Sequence, residues 1–203
     1  MIPWIVFAPT HDDRADLDEA HWIATLHQHL PTPPAEFIAR GAATRSALDV
    51  AVQKVGQPCG VALFGHGTDE AVFGADDQPA FDQHNARAEW VHAFASNTGR
   101  GLAERCAGVQ RFAGYTVSLL VGWEHGALPE ALRTLMSELF VTVTRALVRG
   151  ERSRRALKAE VSRAADDLMD WLNANAPDDF HQVAILASML VDRLVFVGEG
   201  TTA

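Results

Sequence analysis

The chain has 203 residues, 48% of them apolar and 21% charged, and a formal net charge of -9. That length suits one core and is too short for two domains of ordinary size. The acidic balance excludes a general binder of nucleic acid or of anionic membrane, which needs an excess of Lys and Arg to meet phosphate.

A single domain over residues 1–203 is expected, with an α/β part to about residue 122 and a mainly helical remainder. Ile2 to Ala8 reads as a buried strand stopped by Pro9, followed by the polar loop Thr10 to Arg14. Helices are expected from about Asp16 to Leu30, ended by Pro31, Pro33 and Pro34, and from Ala42 to Val55, with Leu48, Val52 and Val55 at helical spacing. Val61 to Phe64 is the second strand and runs into Gly65-His66-Gly67. Ala71 to Ala80 looks like a short strand closed by a turn. Glu89 to Ala95 is the third central strand and ends at Ser96-Asn97-Thr98-Gly99. A short helix from Gly101 to Cys106 leads to a fourth strand, Val109 to Tyr115.

The last third has helical periodicity. One helix opens at Pro129-Glu130 and places Leu132, Met136, Leu139, Phe140 and Val143 on one face. A second runs from about Ser153 to Asn173, a third from after Asp179 to Val191, and Leu194 to Val197 is a final strand. Apolar strands alternating with amphipathic helices predict an α/β fold with a mostly parallel sheet flanked by helices on both faces. In such sheets reactive groups gather at the carboxyl ends of the strands.

Two strands end in polar, reactive side chains: Leu63-Phe64-Gly65-His66-Gly67 and Ala93-Phe94-Ala95-Ser96-Asn97-Thr98-Gly99. If they are neighbours, His66 and Ser96 project into one cleft, and the backbone N–H groups of Gly67 and residue 96 can serve as oxyanion donors. That arrangement suits acyl transfer.

A strand ending in His-Gly, followed one strand unit later by one ending in Ala-Cys, resembles the caspase-like cysteine peptidases. Ala95-Ser96-Asn97-Thr98-Gly99 is similar to the Ala-Cys-x-Thr-Gly form of the bacterial CHAT-type members, with serine for cysteine. The resemblance covers roughly residues 2 to 115 and implies an endopeptidase with a His/Cys dyad acting on peptide or protein substrates, with no cofactor. His66 is then the base and residue 96 the nucleophile. It also implies a bacterial setting in antiviral defence or self-killing, with activation by a partner or a nucleotide-like signal. The scarcity of lysine, only Lys54 and Lys158 beside abundant arginine, accords with a GC-rich bacterial source.

Serine at 96 should leave the site inactive, because a hydroxyl is far less acidic than a thiol with pKa near 8.5. It is read as an inactivating replacement of cysteine, with a natural pseudoenzyme as the alternative. The flanking residues lack the glycines of a serine-hydrolase nucleophile elbow. A second function class stays open: a catalytically dead module that binds a peptide or nucleotide in the same cleft.

By position in the family, the first-subsite pocket falls on Asp12 or Asp13, Phe64 and Phe94. The carboxylates would favour a basic substrate side chain and the rings would stack on its stem, or all four serve the core and the loop. Asp76, Asp77 and Asp82 read as a solvated turn or a substrate loop, and Asn85 and Arg87 as substrate-backbone ligands or loop anchors. The three histidines His21, His27 and His29 lack the spacing for metal and are expected to be solvated, whereas His92 is expected in the core. Arg149, Arg152, Arg154, Arg155 and Lys158 form a basic run that opens a helix or binds an anion. Cys59 and Cys106 make neither a disulfide framework nor a metal spacing, are expected to be buried, and suggest a reducing cytoplasm. The apolar N-terminus lacks a basic leader, and Gln182, Asp192 and Arg193 interrupt the most apolar C-terminal stretch, so neither a signal peptide nor a membrane span is expected.

Overall fold

A computed structural model of the chain describes residues 2–9, 22–117, 129–175 and 181–198. The strands are β1 (Trp4–Ala8), β2 (Glu36–Ala39), β3 (Gly60–Gly65), β4 (Ala71–Phe73), β5 (Pro79–Asp82), β6 (Ala88–Ala95), β7 (Val109–Tyr115) and β8 (Leu194–Gly198). The helices are α1 (Arg45–Val55), α2 (Leu102–Arg105), α3 (Glu130–Val148), α4 (Arg154–Asn175) and α5 (His181–Asp192). Residues 22–26 are also helical and lead into a 3-10 turn, His27–His29.

Six strands form one sheet in the order β2-β1-β3-β6-β7-β8, and β4 and β5 form a separate hairpin. All pairings in the large sheet are parallel except β7 with β8. Parallel neighbours need crossovers, and the helices that supply them cover both faces, so the central strands are mostly apolar, with Glu89 and His92 on β6 and Arg111 on β7 as buried exceptions. β1 and β6 are buried at every position.

The period of two sorts these residues into two cores. Trp4, Val6, Ala62, Phe64, Trp90 and Phe94 face the layer of α3, α4 and α5, where Leu139, Phe140, Val143, Leu157, Leu168 and Leu186 meet them. Ile5, Phe7, Val61, Leu63, Val91 and Ala93 face the other way, onto Leu48 and Ala51 of α1, Leu102 of α2 and Phe81 of β5. Side-chain caps mark the starts of α1 and α4. Thr44 Oγ1 accepts the Ala47 N–H at α1, and Ser153 Oγ accepts the Ala156 N–H at α4.

The structure adds two strands to the sequence reading, β2 and β5. It also corrects the expectation that His27 is solvated. His27 is fully buried, with its Nδ1 2.9 Å from the Ile23 carbonyl and its ring 4.7 Å from that of Phe64. Helical backbone ahead of it turns one face inward, and the ring fills space between Trp4 and Phe64 that a smaller side chain would leave empty. His92, on β6, is buried as expected and bonded at both nitrogens, to Thr144 Oγ1 at 2.7 Å and Tyr115 Oη at 3.3 Å.

Burial lowers the His27 pKa to about 4, with the Ile23 carbonyl opposing, and holds His92 well below the ordinary histidine value, with His27 adding to the effect. Both rings are therefore neutral in the fold at pH 7, while the unfolded chain protonates near 6.5. The stability they permit is complete above that pH and is lost as pH falls toward 4. From His27 alone the fold should be about 2 kcal/mol less stable at pH 5 than at pH 7. Urea midpoints at the two pH values check this: His27→Leu should show a smaller drop, and an undiminished drop would contradict it.

No helix among the described residues is long and apolar enough to cross a membrane.

Candidate active site

Strands β3 and β6 are adjacent and parallel, with Phe64 opposite Phe94 and Gly65 opposite Ala95. His66 and Ser96 are the next residues of each strand. They leave the sheet side by side at its carboxyl edge, where neighbouring chains are about 4.8 Å apart. His66 is exposed and Ser96 half-buried.

The backbone around each residue is shaped for that approach. Gly65 has φ +127°, which sets the His66 turn against Pro9 at the end of β1. Gly67 lies so close to the following turn that a Cβ there would be 2.8 Å from Ala95 Cβ, 2.9 Å from Thr98 Cγ2 and 3.0 Å from the Ser96 carbonyl oxygen. Only hydrogen fits. Gly67→Ala should force the two turns apart at a cost of about 1–3 kcal/mol, read as a lower urea midpoint; an unchanged midpoint would show that the turns yield freely.

Gly67 forms an antiparallel bridge with Val72 of β4. The bonds that close it run from Phe73 N–H to the His66 carbonyl (3.0 Å) and from Thr68 N–H to the Ala71 carbonyl (2.9 Å). The Gly67 N–H takes part in neither. Phe73 also sets its ring 5.6 Å from that of His66, so the hairpin braces the histidine through both backbone and side chain.

After Ser96 the chain turns sharply. Asn97 has φ +60°, a left-handed conformation that asparagine tolerates better than most residues. Its N–H reaches the Val117 carbonyl at 3.0 Å. Thr98 is fully buried, and its hydroxyl returns to the Ala95 carbonyl at 3.0 Å. The Gly99 N–H bonds the Tyr115 carbonyl, and the Ala103 N–H the Thr98 carbonyl. Ser96 is thus presented on a turn tied to β6, β7 and α2. The Thr-Gly pair was visible in the sequence, but the closing role of Thr98 required the fold.

The remaining candidates separate by position. Phe64 and Phe94 are 0% and 3% exposed, with ring centres 6.1 Å apart, and pack among His27, His92, Tyr115 and Phe140. Asp12 and Asp13 lie outside the described residues, as does His21. Glu70 is paired with Arg105 at 2.8 Å, and its hydrogen bond raises the Arg105 pKa. Asp76 and Asp77 are exposed in the β4–β5 turn.

Asp82 is paired with Arg45 at 3.0 Å. Burial pushes its carboxyl up, but the His84 and Asn85 amides and Arg45 together outweigh that and hold it below its ordinary value. Asn85 anchors its loop: Oδ1 accepts the Asp82 N–H, and Nδ2 donates to the Ala80 carbonyl and Asp49. In the basic run, Arg149 pairs with Glu160, and Arg152 approaches Glu89 at 4.0 Å.

Cys59 and Cys106 are buried free thiols. Burial raises the pKa of both, that of Cys106 to about 12 with Asp82 contributing, so neither supplies a thiolate at neutral pH. Among the described residues no group of His, Cys, Asp and Glu is placed to hold a metal ion.

No family model matches the chain, and no curated protein matches it.

Proposed function

We propose that the chain is a caspase-like cysteine-peptidase domain, with His66 as general base and residue 96 in the nucleophile's place, and that serine there holds it inactive. The supporting observation is the register of β3 on β6, Gly65 opposite Ala95, which puts His66 and residue 96 at neighbouring strand ends. The Gly67 N–H, outside the bridge to β4, is the first oxyanion donor in this reading, and the residue-96 N–H the second.

With cysteine at 96 the steps follow from these groups. His66 takes the thiol proton, and the thiolate attacks the substrate carbonyl carbon. As the C–N bond breaks, the imidazolium returns a proton to the leaving amine. Water, deprotonated by His66, then hydrolyses the thioester and frees the thiol. Serine stalls the first step, because its hydroxyl is several pKa units less acidic than a thiol. Phe64 and Phe94, being buried, would support the first subsite from beneath, and Asp12 or Asp13 would supply its charge. We place the domain in the cytoplasm of a bacterium, acting on proteins and switched by a partner or small signal.

Serine at 96 is also the observation that favours a second reading, a binding module that holds a peptide without cleaving it. One experiment separates them. The Ser96→Cys protein and its Ser96→Cys/His66→Ala control are incubated with whole-cell lysate, and new protein termini are sequenced. New termini only with His66 present support the peptidase; none in either, with candidate activators supplied, supports the binding module.

A further inference from the structure

A general base works only from the orientation in which it reaches the proton it removes, and an exposed histidine left to itself samples three χ1 wells. His66 is exposed, and among the described residues no carboxylate is hydrogen-bonded to its ring. The two acids that follow it in the chain act elsewhere. Glu70 Oε1 accepts Arg105 Nη1 at 2.8 Å, and Asp69 and Glu70 both raise the Arg105 pKa. The side chain that does meet the imidazole is Phe73.

The bridge between Gly67 and Val72 sets Phe73 opposite His66, as a cross-strand pair. The Phe73 N–H donates to the His66 carbonyl at 3.0 Å, and the two rings lie 5.6 Å apart at 43°, within the range of an attractive aromatic pair. Phe73 is itself held. A Cβ on the next residue, Gly74, would be 2.9 Å from the Ala43 carbonyl oxygen, which accepts the Ala75 N–H at 2.8 Å. Asp82, at the end of β5, pairs with Arg45 at 3.0 Å, and Val72 and Phe81 are buried in the core. The hairpin is thus clamped to the start of α1, and the half-buried Phe73 ring is a fixed surface for an exposed one.

We propose that Phe73 is a positioning residue for His66: its ring selects the imidazole rotamer that takes the proton of residue 96, part of the task a carboxylate performs in a Ser-His-Asp triad. This rests on His66 as the base and names what keeps it in place. An aromatic contact of this kind favours one rotamer by a factor of about 2 to 10.

The test uses the intact chain carrying Ser96→Cys and follows iodoacetamide labelling of that thiol against pH. Phe73→Leu keeps most of the apolar volume and removes the ring; it should raise the labelling midpoint by about 0.3–1 pH unit, the same factor of 2 to 10. Phe73→Tyr, which restores a ring, should return the midpoint to its starting value. In a His66→Ala background Phe73→Leu should change nothing, because no imidazole is left to hold. The χ1 of His66, read from three-bond couplings to its Cγ in ¹³C,¹⁵N-labelled protein, should report one dominant rotamer in the parent chain and averaging in Phe73→Leu. Unchanged couplings and midpoint in Phe73→Leu overturn the proposal, and so does an equal shift with and without His66, which would make Phe73 a packing residue only. If His66→Ala itself leaves the midpoint where it was, His66 is not the base, and the role of Phe73 falls together with that reading.

Discussion

With cysteine at position 96, replacing His66 by alanine is expected to slow peptide hydrolysis by about 100- to 10,000-fold, the usual contribution of a positioned general base. The loss should fall on kcat and leave KM nearly unchanged, because in the proposed mechanism His66 acts on the nucleophile's proton and does not grip the substrate. His66 is exposed, so its removal strips little from the core, and thermal unfolding should move little. Equal activity in the two proteins would remove His66 from the mechanism. A parallel fall in stability and rate would instead make the ring a brace for the β4 hairpin, against which Phe73 holds it.

The largest effect on stability is expected at Arg111. This side chain is almost fully buried on β7, where Nη2 meets Glu89 of β6 at 3.2 Å and Nη1 donates to the Glu151 carbonyl at 2.9 Å. It ties two strands to the connection between α3 and α4. Burial lowers its pKa and the Glu89 carboxylate opposes that fall, the mark of a charge held in place by its partner.

Arg111→Ala leaves the Glu89 carboxylate buried, with the largely exposed Arg152, at 4.0 Å, as its remaining cationic partner among the described residues. The expected cost is about 3–5 kcal/mol, a large share of the total for a domain of this size. The double variant Arg111→Met/Glu89→Leu removes both charges and should recover most of that loss. Urea unfolding of the two variants decides the matter. If the double variant is as unstable as the single one, packing of the arginine stem, and not the stranded carboxylate, is what Arg111 supplies.

Much of this architecture was legible in the sequence, for a physical reason. β1 and β3 read as continuous apolar runs, and β6 and β7 as mostly apolar ones interrupted by Glu89, His92, Gln110 and Arg111, each bounded by Pro, Gly or polar turns, so their places along the chain followed from pattern. The long helices α3 and α4 announced themselves by periodic leucines. β2 was hidden because Glu36–Ala39 is a four-residue edge strand, half-buried at every position, that follows two prolines and pairs with β1 only. β5 was hidden because its partner β4 is three residues long and the register slips between Val72 and Phe73. His27 failed for a different reason: nothing local distinguishes a histidine turned onto Phe64 from one turned to water.

At the site, the reactive positions were readable and their support was not. His66 and Ser96 stand out as polar residues at the ends of apolar strands. That Phe73 braces one and Thr98 closes the turn of the other depends on a hairpin and on β7, which return from elsewhere in the chain.

The pairing of His66 with position 96 is tested most directly by the reactivity of a thiol placed there, with no need for a substrate. Cys59 and Cys106 are buried and their thiols pushed to high pKa, so they contribute almost nothing at neutral pH. The rate of iodoacetamide labelling of Ser96→Cys against pH should give a midpoint well below the ordinary thiol value of about 8.5, and the added His66→Ala change should return it toward that value. A midpoint near 8.5 that does not move when His66 is removed would show that the two side chains do not act together, and would contradict the proposed site.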